Sequence, residues 1–318
     1  MTTAPQSNTR AAMFALTGYA IFSTHDAIIK FLGGNYSVVQ IVFFSSLFSF
    51  PLITLLLVRD AEPGTLRPKH PWLVALRSVS GSIAAFTTFY AFTVLPLAQV
   101  YAILFATPLI ITLLAIPFLG ETVRLRRGLA VVAGLLGVLV VLRPGTQELQ
   151  TGHLAALVGA CLAAGNAIIM RKIGGEERTV VMILYPLFVG FLFMGGGLAF
   201  VYQPMPARDL GLLAVIGALV LLAMMSILAA YRNGPAIIVA PMQYSQIIWA
   251  VLFGFLFFGE YPDAITFVGT GIIIASGLYI LRRESDPDVS RNSPVLRTRT
   301  RAGLPAGLRI GSLMRSDD

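Results

Sequence analysis

Residues 22–32 of the chain read FSTHDAIIKFL, and Asp-Ala-Ile-Ile at 26–29 recurs as Asn-Ala-Ile-Ile at 166–169, 140 positions later. Further short matches follow in the same order at separations of 139–142 positions. They are Ser-Val-Val at 37–39 with Thr-Val-Val at 179–181, Pro96 with Pro235, Gly-Glu at 120–121 with Gly-Glu at 259–260, and Arg143 with Arg282. Self-similarity at a fixed period is typical of a structural repeat, so the chain is predicted to consist of two related halves.

The quoted stretch also contains polar side chains inside an apolar run. His25, Asp26 and Lys30 lie within residues 11–32, a run long enough to cross a bilayer. A charged group at such a depth costs about 2.5–3.5 kcal/mol on the scale derived from insertion experiments. We therefore expect Asp26 to face the protein interior, where a partner group or a substrate compensates the cost. Lys30 lies near the outer interface, where its long side chain could extend to the headgroups as an anchor or pair with Asp26 on the same helix face.

The composition indicates an all-α integral membrane protein. Of the 318 residues, 56% are hydrophobic and 12% are charged, whereas about 25% of the residues of a soluble protein are charged. The single cysteine, Cys161, and the three histidines exclude a disulfide framework or a cysteine-rich metal site within one chain. No metal or cofactor is expected. The apolar run after Ala11 is longer than the h-region of a secretory signal, so no cleavable signal peptide is predicted.

Ten stretches satisfy the template of about 20 predominantly apolar residues that a membrane-spanning helix needs. They are 11–32, 37–58, 72–94, 96–119, 128–142, 153–173, 180–202, 210–231, 235–258 and 264–281. Five spans form a predicted first repeat at 11–143 and five a second repeat at 152–283. Because five is odd, the repeats cross the membrane in opposite directions. The predicted fold is ten transmembrane helices in two inverted five-helix repeats.

The distribution of basic residues predicts the orientation, because Lys and Arg concentrate in cytoplasmic loops. With the N-terminal segment 1–10 inside, the inner side before the tail holds eleven Lys and Arg residues and the outer side holds three. The inner residues are Arg10, Arg59, Arg67, Lys69, Arg124, Arg126, Arg127, Arg171, Lys172, Arg178 and Arg232, and the outer residues are Lys30, Arg143 and Arg208. Both termini are therefore predicted to be cytoplasmic.

This pattern resembles the drug/metabolite transporter superfamily, and within it the EamA-type family. The resemblance rests on five plus five spans, on a proline near the start of spans four and nine, and on Gly-Glu at the ends of these spans. Asp-Ala-Ile-Ile-Lys at 26–30, Ala-Pro-Met-Gln-Tyr at 240–244 and Gly-Glu-Tyr-Pro-Asp at 259–263 are similar to uptake carriers for S-adenosylmethionine and, less closely, for riboflavin. The family often carries a basic residue in the middle of the second helix, where this chain has Ser45 and Ser46.

The resemblance implies a secondary active transporter that moves a small organic metabolite across the inner membrane by alternating access. S-adenosylmethionine, an amino acid or a vitamin-like compound would be such a substrate, and inverted repeats bind it near the bilayer midplane. An exporter of drugs or amino acids with the same fold is the alternative, followed by a channel and a membrane scaffold without transport. The sequence contains no metalloprotease, intramembrane protease or Walker motif, so no enzymatic activity is predicted.

Asp26 is the first candidate for a functional residue. It could contact a cationic group of the substrate or exchange a proton during transport, and a structural pair with Lys30 or His25 is the alternative. His25 could relay protons, because the charge of a histidine changes near physiological pH, and a neutral, hydrogen-bonded histidine is the alternative. Asn166, the repeat partner of Asp26, keeps the polar shape without the charge. The asymmetry predicts one charged substrate contact.

Aromatic and amide side chains recur in spans four and nine and suit a planar metabolite with mixed polarity. Tyr101 and Phe105 share one side of span four, and Tyr244 corresponds to Phe105 in span nine. Ligand pockets are mostly apolar and carry a few placed polar groups, so these aromatic residues are candidate substrate contacts. Trp249, Gln99, Gln243 and Gln246 extend the set, although aromatic residues in such spans also face lipid or form a core.

Arg77, Glu121 and Glu260 are the other charged candidates. Arg77 lies near the inner end of span three and could bind an anionic group of the substrate or anchor the helix at the cytoplasmic interface. Glu121 and Glu260 end spans four and nine, where they could couple transport to protons or make capping and loop contacts. Prolines at 108, 117, 186 and 241 interrupt backbone hydrogen bonds, which is tolerated where neighbouring groups satisfy the freed carbonyls.

The predicted partners are a small-molecule substrate and the lipid bilayer. The tail at 284–318 is rich in Arg, Ser, Pro and Thr and is predicted to be disordered. Its arginines would be attracted to anionic lipids of the inner leaflet, so we expect no nucleic-acid partner. A monomer and a homodimer are both compatible with the sequence.

Overall fold

The computed structural model describes residues 5–58, 66–120, 125–144, 148–174 and 176–284. Glu121 and the predicted tail after Glu284 lie outside this part of the chain. The described elements are helices: α1 (Pro5–Gly33), α2 (Val38–Val58), α3 (Pro71–Val94), α4 (Leu97–Leu104), α5 (Thr107–Leu119), α6 (Leu125–Leu142), α7 (Thr151–Ile173), α8 (Thr179–Val201), α9 (Ala207–Asn233), α10 (Ala236–Val239), a 3-10 helix (Ala240–Ser245), α11 (Gln246–Phe258) and α12 (Ala264–Glu284).

Eight helical stretches are long and apolar enough to cross a membrane, within the part of the chain that the structure describes. They are Pro71–Val94, Leu97–Leu119, Leu125–Leu142, Thr151–Ile173, Val180–Val201, Ala207–Asn233, Ile237–Phe258 and Ala264–Arg283. They match the third to tenth predicted spans. The first two predicted spans are helical as α1 and α2, but neither is among the eight, so the count of ten stays a prediction. Helix α1 begins at Pro5, six residues before the predicted start.

The fourth predicted span is divided into α4 and α5 at Phe105 and Ala106. Pro108, in the first turn of α5, has no N–H to donate to the carbonyl of Leu104, four residues earlier. The hydroxyl of Thr107 donates to this carbonyl at 2.7 Å instead. The predicted interruption at Pro108 is therefore confirmed, together with a side-chain donor that satisfies the freed carbonyl.

The ninth predicted span is interrupted at the corresponding place. Helix α10 passes into the 3-10 helix Ala240–Ser245, which contains Pro241, before α11 begins. A stretch of 3-10 helix within a longer helix often marks a hinge. Both long spans end on a glycine in the left-handed region, Gly120 with φ 67° and Gly259 with φ 63°, a conformation that glycine adopts without steric cost.

Helix α4 is the centre of the molecule. Every residue from Leu97 to Ala106 except Gln99 is buried, and the main hydrophobic cluster surrounds this segment. Pairs of long helices pack around it: α1 against α9, α3 against α7, α6 against α12, and α2 against α8 and α9. Glycines permit the closest approach between α6 and α12, where a Cβ on Gly137 would lie 2.9 Å from the carbonyl oxygen of Gly269.

The end of the bundle at which α1 finishes, called the Lys30 end below, carries polar contacts between the N-terminal and C-terminal halves. The pairs are Lys30 with Glu260, Tyr36 with Asp209, Gln40 with Gln203, Tyr90 with Thr151, Gln99 with His153 and Arg143 with Asp263. The hydrogen bond from Arg143, followed by those within the α12 N-cap, lowers the pKa of Asp263 to about 2. Asp263 is therefore ionised at neutral pH, and its Oδ1 accepts a hydrogen bond from the N–H of Thr266 at 2.9 Å.

Candidate functional site

Asp26 lies in the protein interior, where it is only 1% exposed. Its Oδ2 accepts a short hydrogen bond from the hydroxyl of Tyr101 in α4, and its Oδ1 lies 2.8 Å from Nδ1 of His25. The hydroxyl of Tyr101 also lies 3.3 Å from Oγ of Ser23 and 3.5 Å from Nε2 of Gln246. We call these five residues, Ser23, His25, Asp26, Tyr101 and Gln246, the Asp26 cluster.

The Asp26 cluster joins the two halves of the chain because its members come from α1, α4 and α11. All five residues are buried. The prediction that Asp26 faces the interior is confirmed, and of its two anticipated structural partners the structure pairs it with His25. Ser23 was not anticipated, although it precedes Asp26 by three residues and therefore shares its helix face.

A row of aromatic rings extends from the Asp26 cluster. The ring centroid of Tyr101 lies 5.5 Å from that of Phe92 and 6.0 Å from that of Phe105. Phe105 in turn lies 5.0 Å from Tyr244 of the 3-10 helix in an edge-to-face arrangement. The structure therefore brings together three of the predicted aromatic residues. The hydroxyl of Tyr244 packs against Gly277 of α12, where a Cβ would lie 1.9 Å from it.

Three other predicted residues are not members of the Asp26 cluster. Asn166 accepts a hydrogen bond from the hydroxyl of Ser80 at 2.7 Å, between α7 and α3. Trp249 packs on Phe253 of its own helix, with 5.9 Å between the ring centroids. Gln243 is half-buried in the 3-10 helix, next to Tyr244. Their predicted role in substrate binding stays a prediction.

Arg77 is buried, with 2% of its surface exposed, and it donates a hydrogen bond from Nη1 to the carbonyl of Met182 in α8 at 2.6 Å. This carbonyl is four residues before Pro186, which lies inside α8 and has no N–H to offer it. Phe89 contacts His25, with 5.7 Å between the ring centroids. Arg77 precedes Phe89 by twelve residues in α3, which separates it from the Asp26 cluster by about 18 Å along the helix axis.

Glu260 forms an ion pair with Lys30, with 2.8 Å between Oε1 and Nζ. Its Oε2 accepts a hydrogen bond from the N–H of Leu97, the first residue of α4, at 2.9 Å. These are the capping and loop contacts anticipated as one alternative for Glu260. A role in proton coupling stays a prediction for Glu260, and Glu121 lies outside the described residues.

The geometry suits the binding of a cationic group. A carboxylate buried beside aromatic rings attracts an organic cation through its charge and through the quadrupoles of the rings. Among the described residues, no group of three or more His, Cys, Asp or Glu side chains could hold a metal ion. The carboxylate of Asp26, the hydroxyl of Tyr101 and the amide of Gln246 are the polar groups of the cluster that could orient a substrate.

Several proteins of similar sequence align with most of the chain. The pseudopaline exporter CntI of Pseudomonas aeruginosa is 27% identical over 275 residues, which covers 85% of this chain and 95% of that protein. The S-adenosylmethionine uptake transporter of Rickettsia conorii is 28% identical over 263 residues, or 82% of this chain and 89% of the relative. The riboflavin transporter of Rhizobium johnstonii is 28% identical over 243 residues, 76% of this chain and 78% of that protein.

A solved crystal structure shares the fold, with a TM-score of 0.57 at 18% identity over 84% of this chain and 96% of that one. The model of the EamA-like transporter family matches the chain twice, at residues 9–143 and 150–282. Together the two matches cover most of the sequence, and the apolar helices described above are those of a multi-pass membrane protein. The chain belongs to the EamA-like transporter family.

Proposed function

We propose that the protein is a secondary carrier that moves a small organic metabolite with a cationic group by alternating access. In this proposal the chain crosses the inner membrane ten times, and two inverted five-helix repeats enclose the substrate at the Asp26 cluster. The observation that carries the proposal is the buried carboxylate of Asp26, which lies beside Tyr101 at the junction of the two halves.

The packing of the helices supports the inverted repeats. If α1, α2, α3, α5 and α6 correspond to α7, α8, α9, α11 and α12, each contact of these helices between the two halves should have a counterpart. Helix α1 packs against α9 as α7 packs against α3, α2 packs against α9 as α8 packs against α3, and α1 packs against α11 as α7 packs against α5. The family model also matches each half separately.

Two hydrogen-bonded contacts at opposite ends of the bundle support the same relation. At the Lys30 end, the hydroxyl of Tyr36 donates to Asp209 at the start of α9, over 2.6 Å. At the other end, the N–H of His70 at the start of α3 donates to Glu177, over 2.5 Å. Asp209 follows His70 by 139 positions and Glu177 follows Tyr36 by 141. Two such contacts are expected if one half is an inverted copy of the other.

The orientation proposed from the basic residues has the Lys30 end facing the outside. We predict that single cysteines at Leu125 and Tyr261, both 78% exposed, react with a membrane-impermeant thiol reagent from opposite sides. Position 125 should react from the cytoplasm and position 261 from outside. The exposed Cys161 is replaced by serine in both variants so that it does not contribute to the signal. Reaction of both positions from one side contradicts the inverted repeats.

The names of the relatives suggest which substrates to test first. Their names specify S-adenosylmethionine, riboflavin and pseudopaline, with both uptake and export among them. S-adenosylmethionine combines a sulfonium cation with a planar base, which suits a carboxylate flanked by aromatic rings. An exporter of drugs or amino acids is the second candidate within the same mechanism.

Counterflow in proteoliposomes tests the transport mechanism. We expect unlabelled substrate inside the vesicles to accelerate uptake of labelled S-adenosylmethionine or another cationic metabolite, because a carrier returns faster when it is loaded. Riboflavin, amino acids and purines serve as comparison compounds. Uptake that is insensitive to internal substrate indicates a channel. If no compound is exchanged and none shifts the melting temperature of the purified protein, the result indicates a scaffold without transport.

A further inference from the structure

Lys30 and Glu260 lie one helical turn beyond the Asp26 cluster. Lys30 follows Asp26 by four residues in α1, and Leu97, which hydrogen-bonds to Glu260, precedes Tyr101 by four residues in α4. Four residues of an α-helix rise about 6 Å, so both helices place the ion pair about 6 Å from the cluster on its Lys30 side. The pair therefore lies between the cluster and the end of the bundle.

Lys30 and Glu260 connect three segments at this position: the end of α1, the end of α11 and the connection between α3 and α4. Nζ of Lys30 is 2.8 Å from Oε1 of Glu260, 2.5 Å from the carbonyl oxygen of Leu95 and 3.4 Å from that of Phe92. Oε2 of Glu260 accepts the N–H of Leu97 at 2.9 Å. The two side chains thus bind the carbonyls at the end of α3 and the first N–H of α4, which leaves no donor of the lysine unused.

Phe258 and Gly254 accommodate the ion pair. The ring of Phe258 lies 5.4 Å from Nζ of Lys30, within the range of a cation–π interaction. Gly254 leaves room for the carboxylate, because a Cβ at this position would lie 2.9 Å from Oε2 of Glu260. The side chains of Lys30 and Glu260 are only 11% and 15% exposed, so water screens their attraction less than that of a surface pair.

We propose that Lys30 and Glu260 close the Asp26 cluster to the external solution, and that their ion pair separates each time the site opens outward. The inference rests on the proposed function, since it assigns to this pair the outer barrier of an alternating-access carrier. Lys30 belongs to the N-terminal half and Glu260 to the C-terminal half, so relative movement of the halves at this end separates them. Leu95 and Leu97, each 1% exposed, complete the cover over the cluster.

Reaction of a cysteine within the cluster measures this barrier directly. The reporter is Ser23→Cys in the full chain with Cys161→Ser, treated from outside with a membrane-impermeant maleimide. We expect slow reaction with Lys30 and Glu260 intact. With Lys30→Met or Glu260→Gln we expect the rate to rise at least about tenfold, because opening then no longer separates an ion pair. A tenfold rise corresponds to a change of about 1.4 kcal/mol in the opening equilibrium.

Two matched variants separate the barrier from a general loss of surface charge. Asp263→Asn removes the Arg143–Asp263 ion pair at the same end of the bundle, and its reaction rate should change less than about twofold. Combining Lys30→Glu with Glu260→Lys preserves an ion pair, but a carboxylate cannot donate to Leu95 and an ammonium cannot accept from Leu97. The exchanged pair should therefore leave the reporter as reactive as Lys30→Met does.

The outcomes are distinct. Unchanged slow reaction in both Lys30→Met and Glu260→Gln, with melting temperatures equal to that of the parent, overturns the proposal. Slow reaction in the exchanged pair overturns the role of the Leu95 and Leu97 contacts. Glu260→Gln retains an oxygen that can accept from Leu97, so it keeps the test valid even if Lys30→Met does not fold. The labelling needs no substrate, and its failure is therefore distinguishable from a failure of counterflow.

Discussion

Asp26→Asn is expected to lower the kcat/KM of transport by at least about 30-fold, which corresponds to the loss of about 2 kcal/mol of binding free energy. The amide keeps the shape of the carboxylate and removes its charge, so a cationic substrate loses its counter-ion in a site shielded from water. The measurement is the initial rate of uptake into proteoliposomes at several pH values and substrate concentrations. Uptake equal to that of the parent at every pH contradicts the assignment.

The substitution should not unfold the protein, because removing a buried charge also removes its cost of desolvation. A cationic ligand that raises the melting temperature of the parent should therefore fail to raise that of Asp26→Asn. Tyr101→Phe provides a graded comparison, since it keeps the ring and removes only the hydroxyl that donates to Asp26. A hydrogen bond to a charged group contributes about 1.5–3 kcal/mol, but Asp26 keeps its charge when this bond is lost, so the variant should transport more weakly than the parent and better than Asp26→Asn.

Asp263→Asn is the matched control for Asp26→Asn. Both substitutions neutralise an aspartate that hydrogen-bonds to a basic or imidazole side chain, but Asp263 lies in the connection before α12 and outside the Asp26 cluster. We expect its transport rate to equal that of the parent. A loss of transport as large as that of Asp26→Asn would show that the assay reports surface charge rather than substrate binding.

The sequence was sufficient to predict the helices because their signals are local. A run of apolar residues has the length of a membrane span whatever its neighbours are, and a proline withdraws one backbone donor wherever it lies. The break between α4 and α5 at Pro108 was predictable for this reason. Helix α1 extends to Pro5 because polar residues can continue a helix beyond its apolar part, which hydropathy alone does not detect.

The side-chain partners were less predictable because they depend on tertiary contacts. The spacing of Asp26 and Lys30 allows a pair on one helix face, yet Lys30 pairs with Glu260, 230 positions away in the sequence. The flexible lysine side chain turns away from Asp26 because two carbonyls at the end of α3 and a carboxylate lie within its reach. The clustering of Tyr101, Phe105 and Tyr244 was foreseen from the repeat, which relates spans four and nine.

Arg77 illustrates the same limit. The sequence identifies the carbonyl of Met182 as the acceptor that Pro186 leaves free, because the position follows from helix geometry. It does not identify the donor, which comes from another helix, 105 positions away. Only the structure shows that the intramembrane arginine and the intrahelical proline act on one carbonyl, and this relation leads to a quantitative prediction.

We predict that Arg77→Met costs about 1–3 kcal/mol more in the presence of Pro186 than in the Pro186→Ala background, as measured by the free energy of unfolding in detergent. With Pro186 present, loss of the arginine leaves the buried carbonyl of Met182 without a donor. With Pro186→Ala, the restored backbone N–H supplies the hydrogen bond. The desolvation cost of the buried guanidinium is the same in both backgrounds, so it cancels in the double-mutant cycle.

Pro51→Ala in α2 is the matched control, because it also removes a proline from the interior of an apolar helix. The acceptor of the restored N–H is the carbonyl of Leu47, which is not the carbonyl that Arg77 binds. The effects of Arg77→Met and Pro51→Ala should therefore add to within about 0.5 kcal/mol. Coupling of equal size in both cycles would show that any straightened helix relieves the loss of Arg77, which contradicts a shared carbonyl.

Transport measurements on the parent, Arg77→Met, Pro186→Ala and the double variant separate this role of Arg77 from binding of a substrate anion. If Arg77 only supplies the hydrogen bond that Pro186 cannot, the KM of Arg77→Met should return toward that of the parent in the Pro186→Ala background. If the guanidinium contacts an anionic group of the substrate, KM should stay raised in both backgrounds, because a backbone N–H in α8 cannot replace that contact. The separation of about 18 Å between Arg77 and the Asp26 cluster leads us to expect the first result for a small metabolite.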